Sequence, residues 1–420
     1  MIREPVIIIG AGLAGLNCAR ILEEHGVDYQ IFEKARSIGG RVQTDRVDGF
    51  QLDRGFQVLL AAYPEAQQSF RYHELDLRPF FAGAAVQYQG RQHLIADPRH
   101  HPWEALKSIF GPIGSFADKL RILQLRKQCC TGQFDKAYQG AERSSDEFLN
   151  SFGFSAAMRQ RFLTPFLGGV HLDSKLETSA RMTQFVYRMF STGPTTLPMR
   201  GMGSLPQQLA DSIPEERIHL ETEIETLNGL TMTPVGGHAI QAEHVVLATD
   251  LTATNMLLNL PTHRPFRRSL TYYFSADRSP MKKPCLLLNG DQRGPINHLC
   301  VPSDIAKQYA PKSKSLVSVS ILDHRLPNLE SEIRKQLEQW TEGESSHWEL
   351  IRIDSIPQAL PSMKTTPISQ SMGYIEPRPN VIACGDHVTS SSINGALRSG
   401  RKAAQRILKS MSVRPSSNRA

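Results

Sequence analysis

The chain has 420 residues, of which 40% are hydrophobic and 21% are charged, and its 30 glycines and 26 prolines follow no period. This composition excludes a wholly disordered chain and a collagen-like or coiled-coil rod, and the length suits about two or three domains. The net charge of +7 permits contact with an anionic membrane surface or an acidic substrate, but it does not favour nucleic acid as a partner.

The 6 cysteines are scattered and form no C-x-x-C pair, and no spacing of His, Cys and carboxylate residues indicates a metal site. Residues 6–16 are apolar enough for a signal-peptide core, but Glu4 precedes them and Glu23 and Glu24 follow. No stretch reaches the ~18 apolar residues of a membrane span. We therefore expect a cytoplasmic protein with free thiols and no metal, either soluble or peripheral to a membrane.

A strand–helix–strand unit is predicted at the start of the chain. The β-branched run at residues 6–9 is typical of a strand buried on both faces. A helix follows through Leu16 and Leu22 and stops near Gly26, and residues 29–32 form a second strand. This order is that of a βαβ unit.

The link between the first strand and the helix carries a G-x-G-x-x-G motif, Gly10, Gly12 and Gly15, with Glu33 about 20 residues further on. Gly10 permits the tight turn, Gly12 lets a pyrophosphate approach the backbone, and Gly15 lets the helix pack closely on the strand. The N–H groups at the helix N-terminus attract the same pyrophosphate, and Glu33 can accept hydrogen bonds from ribose hydroxyls. The motif predicts a dinucleotide site.

A second glycine-rich loop, Gly39-Gly40-Arg41, follows the second strand, where a nicotinamide enzyme would begin another helix. It offers a further close approach for phosphate and a cation. Asp53-x-Gly55-Phe56-Gln57 lies beyond it. By contrast, residues 201–206 fail as another nucleotide loop because Pro206 occupies the position of the third glycine, so NAD(P)H is not expected as a direct partner.

The middle of the chain is helix-like from residue 102 to 153 and again over residues 154–195, with a break predicted at Gly168-Gly169. The basic stretch from Lys119 to Lys127 contains leucines that could enter lipid, but we favour the interpretation in which they pack on the core. Later elements are predicted as strands and one helix, namely strands 218–227, 244–248, 272–274 with 316–321, and 380–384, and a helix over 394–408.

Glu33-Lys34-x-x-x-x-Gly39-Gly40-Arg41 resembles the FAD-binding signature of the flavin-containing amine oxidase superfamily, which also contains protoporphyrinogen oxidases and phytoene-desaturase-like enzymes. The resemblance continues, in the family's order, at residues 197–206, 218–227, 245–249, 359–361 and 384–404. It implies an FAD whose binding residues are Gly10, Gly12, Leu13, Ala14, Gly15, Glu33, Lys34, Gly39, Gly40, Arg41, Gly55, Phe56, Gln57, Ile224, Gly385, Asp386, Ile393, Asn394 and Ala396.

The closing signature implies that Asp386 approaches the ribityl-phosphate arm and that a helix beginning near Asn394 points its N-terminus at the flavin. The positive end of that helix would stabilise the negative charge of reduced flavin. In the monoamine oxidase branch a cysteine just before this signature carries the flavin, but residues 361–380 contain none, so non-covalent FAD is expected. The branch's active-site lysine has only a doubtful counterpart in Lys282-Lys283, and His171 is a second weak catalytic candidate.

We therefore predict an α/β fold with a discontinuous Rossmann-type FAD-binding domain, residues 1–95, 196–250 and 356–420, and an α+β substrate domain, residues 96–195 and 251–355. The expected function is oxidation of a C–H bond by hydride transfer to flavin N5, with oxygen or a quinone as electron acceptor. A lipophilic polyene- or tetrapyrrole-like substrate is favoured. The alternatives are an amine or amino-acid oxidase and a scaffold or chaperone in which FAD is structural.

Overall fold

The structure, a computed structural model, describes residues 4–108, 111–131, 142–261, 265–322, 327–366 and 372–412. Val6–Ile9 lies inside a sheet between two parallel strands, and its first three side chains are fully buried because both faces of the sheet are covered. Within the described residues this sheet has the strand order Ile218–His219, Tyr29–Phe32, Val6–Ile9, His244–Leu247, Val381–Ala383 and Ile375–Arg378, parallel except for the last pair.

Helices Leu13–Glu24 and Ile393–Ser412 pack on each other in the same core as the strands of this sheet. Gly400 permits their close approach, because a Cβ there would lie 2.1 Å from the carbonyl oxygen of Ala14. The buried Asn17 Nδ2 donates a hydrogen bond of 2.8 Å to the carbonyl of Leu397. This contact joins the first and the last helix of the described chain and brings their N-termini to one region.

A second, mixed sheet forms the other half of the molecule. Its strands within the described ranges are, in order, Glu349–Pro361, Phe266–Ala276, Ser315–Ile321, Ile296–Cys300, Leu286–Asn289, Gly83–Tyr88 and Arg91–Ala96. Tyr272 is paired with Val319, as predicted for these two strands. Smaller sheets pair Thr44–Val47 with Phe50–Asp53, then Leu59–Leu60 with Thr195–Pro198 and Leu77–Pro79, and Ile224–Asn228 with Thr231–Pro234 and Ile240–Gln241.

The remaining helices pack around the sheets, and some of them supply walls of the cavity described below. They are Pro64–Ser69, Tyr72–Leu75, Pro102–Lys107, Phe116–Cys130, Ser145–Ser151, Ala156–Met158, Thr164–His171, Ala180–Thr192, Ser204–Ala210, Leu251–Leu258, Pro302–Ile305 and Leu329–Trp340. A π-helical turn, Arg159–Leu163, connects two of them. In the ranges described, no helix combines the length and apolar character needed to cross a bilayer.

The α/β class is confirmed, but two predicted elements are wrong in detail. The strand predicted over 218–227 is interrupted at Glu221, which has a φ of 52°, so its two ends belong to different sheets. The helix does not break at Gly168-Gly169. It continues to His171 and ends where Leu172 adopts a left-handed conformation. Gly169 serves close packing instead, because a Cβ there would lie 2.9 Å from Asn297 Nδ2.

The sheets also bear on the predicted domain division, which stays a prediction. Strands Gly83–Tyr88 and Arg91–Ala96 belong to the second sheet, although the predicted first domain extends to residue 95. The reason is a non-local pairing, since Leu287 lies opposite Ala85 from a strand about 200 residues later. Strand Glu349–Pro361 likewise continues across the predicted boundary at 355/356.

Candidate flavin site

A cavity of about 2380 Å³ extends from the glycine-rich loops of the first sheet to the strands and helices around the second sheet. Of the predicted cofactor residues, those that line it are Gly10, Gly12, Leu13, Ala14, Glu33, Lys34, Gly39, Gly40, Arg41, Gly55, Phe56, Gln57, Ile224, Gly385, Asp386, Ile393 and Ala396. Gly15 and Asn394 lie just behind this wall. One cavity therefore brings together positions from both ends of the chain.

The three glycines of the first loop have different surroundings. A Cβ at Gly10 would lie 2.8 Å from the carbonyl oxygen of Ala248, and one at Gly15 would lie 2.0 Å from the carbonyl oxygen of Gly10. Both positions thus require glycine for packing. At Gly12, in contrast, a Cβ would meet nothing within 4 Å, so the space before this residue is open for a ligand.

The first helix presents an N-terminus without a side-chain cap and without an acidic residue in its first turn. Its first backbone N–H groups have no partner within the helix and face the open space at Gly12. The second glycine loop lies alongside, since Gly39 N donates to the carbonyl of Ala11 at 2.8 Å and a Cβ at Gly40 would lie 3.4 Å from Gly12 Cα. The two loops form one cradle of backbone, which fits a pyrophosphate.

Glu33 is 8% exposed and is held at the end of strand Tyr29–Phe32 by two backbone N–H groups. Ala11 N donates to its Oε2 at 2.8 Å and Ala35 N donates to its Oε1 at 2.9 Å. Carboxylate oxygens can accept further hydrogen bonds, so a fixed Glu33 is a suitable acceptor for ribose hydroxyls. Lys34, the next residue, is exposed. Ile224, the first residue of strand Ile224–Asn228, is buried at the cavity wall.

Arg41 connects the N-terminal loops to the C-terminal signature. Its Nη2 donates to Asp386 Oδ1 at 2.6 Å, and its Nη1 donates to the carbonyl of Ala359 at 2.8 Å. Gly385, at a φ of 145°, makes the turn that directs Asp386 to this pair. Gln57 Nε2 also donates to the carbonyl of Arg41, at 2.8 Å. The ion pair fixes a cation at the wall of the cavity beside the glycine cradle.

The last helix begins at Ile393, one residue before the predicted start, and its first turn reaches the cavity through Ile393 and Ala396. Asn394 is buried, and its Oδ1 accepts a hydrogen bond from Glu65 N at 3.0 Å. A Cβ at Gly395 would lie 1.9 Å from the carbonyl oxygen of Ser390, so this position accepts glycine alone. Ala396 lines the cavity, so a substitution there would place a new side chain on the cavity side of this turn.

The two predicted catalytic candidates have different environments. His171 lines the cavity, and its Nε2 lies 2.9 Å from Thr183 Oγ1. Burial, opposed by the charge of Asp173, lowers its pKa to about 4, so the ring is neutral at physiological pH. Lys283 is exposed and does not line the cavity, and its Nζ lies 3.9 Å from Glu104 Oε1 and over the ring of Phe81.

His298, in strand Ile296–Cys300, is a cavity residue that the sequence analysis did not single out. Its Nδ1 lies 3.0 Å from Asn297 Nδ2, which also donates to the carbonyl of Pro165, so Nδ1 accepts and the ring proton belongs to Nε2. That buried Nε2 has no hydrogen-bond partner among the described residues, and burial lowers the pKa to about 4. A single histidine in a strand carries no sequence signal for such a position.

The half of the cavity away from the glycine loops is mainly apolar. Its walls include Phe81, Phe162, Phe166, Leu167, Val170, Val186, Phe190, Leu286 and Leu288. They come from the second sheet and from the helices around residues 156–192. A surface of this kind favours an apolar ligand.

Helix Phe116–Cys130 lines the cavity through residues that are also exposed, and the prediction that its leucines pack on the core is wrong for two of the three. Leu125 packs on the core and is fully buried, but Leu120 and Leu123 are 48% and 51% exposed. They lie about half a helical turn away from Leu125 and Cys129, so all of these side chains cannot face the same core. The helix has two apolar faces, and the spacing of apolar residues in the sequence does not show which of them packs on the core.

All 6 cysteines are free, five of them buried and Cys130 partly exposed. Cys129 is buried while Cys130 is turned outward, as expected for neighbours on one helix. Across the part of the chain that the structure describes, no group of three or more His, Cys, Asp or Glu side chains could hold a metal ion. The expected absence of a metal stays a prediction.

Comparison with known proteins adds a family and a fold. A family model, "Flavin containing amine oxidoreductase", matches residues 13–408. The zeta-carotene-forming phytoene desaturase of Myxococcus xanthus is 40% identical over 67 residues, 16% of this chain. The match covers 13% of that relative, so the chain spans a small part of its length.

Two solved structures cover 98% of this chain and 100% of their own, each at 16% identity. One, from Exiguobacterium sp. 255-15, is provisionally described as a protoporphyrinogen oxidase and has a TM-score of 0.72. The other is cyclohexylamine oxidase from Brevibacterium oxydans IH-35A, with a TM-score of 0.69. At this identity the likeness shows the shared fold, and the family model confirms the predicted resemblance.

Proposed function

The chain belongs to the flavin-containing amine oxidoreductase family and is therefore a flavin-dependent oxidoreductase. From this premise we propose that it binds FAD without a covalent bond. We propose further that it oxidises a C–H bond of a small lipophilic, polyene- or tetrapyrrole-like molecule. The observation that carries the proposal is the single cavity, which has the glycine cradle at one end and apolar walls at the other. Bound flavin supplies a hydride acceptor, N5, and the protein supplies binding, orientation and exclusion of water.

The residues present fit FAD. The open space at Gly12, the adjoining second loop and the uncapped helix N-terminus would receive the pyrophosphate, and Glu33 would receive the ribose hydroxyls. Arg41, paired with Asp386, adds a positive charge at the same wall. Among the described residues that line the cavity there is no cysteine, which supports a flavin held by non-covalent contacts.

The size and chemistry of the cavity support the substrate class. Typical ligand pockets enclose about 300–1,000 Å³. The observed volume of about 2380 Å³ leaves room for a second large molecule beside a dinucleotide. The relative from Myxococcus xanthus is a zeta-carotene-forming phytoene desaturase, and one structural neighbour is provisionally described as a protoporphyrinogen oxidase, so both names are consistent with an apolar substrate.

Removing a hydride from a C–H bond also requires a proton to leave, and the group that accepts it is part of the proposal. His171 lines the cavity in its neutral form, and the lowered pKa of about 4 makes it a weak base, so it would accept the proton only transiently. Lys283 is exposed, faces Glu104 and does not line the cavity, so a direct role for it would require movement. Both assignments stay predictions, and oxygen or a quinone is the proposed electron acceptor.

The test is anaerobic mixing of the purified holoprotein with a polyene, a porphyrinogen and a set of amines, each dispersed in the same detergent. We expect the flavin absorbance to bleach with the polyene or the porphyrinogen and to return when oxygen or a quinone is admitted. Bleaching by amines alone would assign the amine oxidase alternative. Acid precipitation should release intact FAD into the supernatant, and yellow colour in the pellet would contradict non-covalent binding.

A further inference from the structure

The exposed apolar side chains of the molecule concentrate on two neighbouring helices, Pro102–Lys107 and Phe116–Cys130. Five large apolar residues on them are about half exposed or more, namely Trp103 at 74%, Phe116 at 59%, Leu106 at 53%, Leu123 at 51% and Leu120 at 48%. We call these five residues the apolar rim. Single exposed apolar residues are common, but four of these five also line one cavity, so they lie close together in space, and a contiguous apolar patch of this kind is typical of an interaction site.

The arrangement of helix Phe116–Cys130 explains why the rim is not part of the core. Leu125 and Cys129 face the interior, whereas Phe116, Leu120 and Leu123 recur at the spacing i, i+4, i+7 on the opposite side. Helix Pro102–Lys107 buries none of its residues. Each helix therefore carries an apolar face that no described part of the chain covers.

The charges around the rim select the kind of partner. Residues 102–131 contain the basic residues Lys107, Lys119, Arg121, Arg126 and Lys127. Their acidic residues are Glu104 and Asp118. Asp118 is fully buried, accepts hydrogen bonds from Ser115 and Ser155, and pairs with Arg121 at 3.5 Å, so this pair adds no net charge to the surface. Apolar side chains within a basic surface fit an anionic lipid bilayer, whose acyl region accepts the rim while its headgroups attract the cations.

The rim is also continuous with the cavity. Leu106, Phe116, Leu120 and Leu123 line the opening of its apolar half as well as being exposed. We propose that helices Pro102–Lys107 and Phe116–Cys130 dock on an anionic lipid bilayer, so that the cavity opens directly onto the acyl chains. The docking rests on the rim and its charges, and only the delivery of substrate through this opening rests on the proposed function.

The protein contains its own probe for this contact. Of its 3 tryptophans, Trp103 is 74% exposed in the rim, whereas Trp340 and Trp348 are 8% and 4% exposed. A blue shift of tryptophan emission on adding vesicles would therefore report the transfer of Trp103 from water to lipid. Full-length holoprotein is titrated with vesicles of phosphatidylcholine alone and with vesicles that also contain phosphatidylglycerol.

We expect binding and a blue shift with the anionic vesicles, and affinity at least about tenfold lower with neutral vesicles or at high salt. By cosedimentation, Trp103→Glu and the double variant Lys107→Glu/Lys127→Glu should each lose tenfold or more. Ile353→Glu is the matched control, since Ile353 is 42% exposed on the edge strand of the second sheet and does not line the cavity. It should bind vesicles as the parent protein does.

Absence of vesicle binding, or equal loss in Trp103→Glu and Ile353→Glu, would overturn the proposal. Dimerisation that depends on Trp103 would also overturn it, because a second copy would then cover the rim. The outcome is separable from the proposed function, since vesicle binding requires no substrate. If docking is correct and the substrate class is also correct, Trp103→Glu should keep flavin reduction by substrate in detergent and lose it for substrate in vesicles.

Discussion

Replacing Gly12 by valine tests the nucleotide site without disturbing the packing of the fold. Gly12 has a φ of −77° and a ψ of 179°, an extended conformation that valine adopts readily, and a Cβ there meets nothing within 4 Å. The new side chain would enter only the open space in front of the helix N-terminus. At Gly15, in contrast, even a methyl group would lie 2.0 Å from the carbonyl oxygen of Gly10.

The expected loss of affinity follows from the contacts that valine would block. A hydrogen bond to a charged group is worth about 1.5–3 kcal/mol, so losing two backbone contacts to the pyrophosphate should weaken FAD binding by roughly 10²- to 10⁴-fold. The cost to the apoprotein is smaller, since replacing glycine at an N-cap costs about 1 kcal/mol. Gly12→Ala should lie between the parent protein and Gly12→Val.

The assay is titration of apoprotein with FAD, followed by flavin fluorescence, together with a thermal melt of each apoprotein. Gly15→Ala serves as the packing control and should lower the melting temperature of the apoprotein much more than Gly12→Val. An unchanged FAD dissociation constant in Gly12→Val would show that the nucleotide binds elsewhere. A melting temperature as low as that of Gly15→Ala would refute the separation of binding from packing.

Four further substitutions test other parts of the site. Glu33→Gln should weaken FAD binding by about fivefold in the same titration, because hydrogen bonds to a neutral acceptor are roughly 1 kcal/mol weaker than those to a charged one. Ala396→Asp places a negative charge at the N-terminus of the last helix and should lower the two-electron flavin potential by about 30 mV or more in a dye equilibration, in fully loaded protein. The pKa values of His171 and His298 are lowered to about 4, below the value of about 6.5 in unfolded chains. Between these two pH values the unfolded state binds more protons than the folded state. Stability should therefore fall as the pH falls from 6.5 towards 4. The free energy of unfolding, measured with urea, should therefore fall between pH 7.5 and pH 5 in the parent protein. In His171→Gln and in His298→Gln this fall should each time be smaller by about 2 kcal/mol. A fall as large as that of the parent protein would show that these rings are protonated in the fold.

The nucleotide half of the cavity could be predicted because its chemistry depends on short segments. The strand, the turn at Gly10 and the following helix lie within 20 residues, and each needs a residue type that is visible in the sequence. The ion pair between Arg41 and Asp386 joins positions 345 residues apart, and only the resemblance to a family brought them together beforehand. Their proposed contact with the cofactor still depends on that resemblance.

The substrate half could not be predicted in the same way, because it is built by contacts between distant segments. His298 became a cavity residue through the packing of its strand against the helix that contains Gly169, and the two glycines there resembled a helix break until the close approach was known. Leu120 and Leu123 have the same spacing whether a helix packs on a core or lies against another surface. Periodicity gives the direction of a side chain but does not identify what covers it.

The position of the apolar rim gives a physical reason why the substrate half of the cavity would open towards a lipid bilayer while the nucleotide half stays inside the protein. A lipophilic molecule that crosses water to reach a buried cavity would expose its apolar surface on the way, at a cost of about 25 cal/mol for each Å². An opening lined by Leu106, Phe116, Leu120 and Leu123 and seated in lipid would avoid that step, while the polar end of the same cavity stays with the glycine cradle. On this argument, exposure of the rim to solvent is a property of the free protein, and the opening of the cavity is completed by the bilayer. The vesicle experiment therefore tests more than adhesion, because it decides whether substrate would reach the site from lipid or from water.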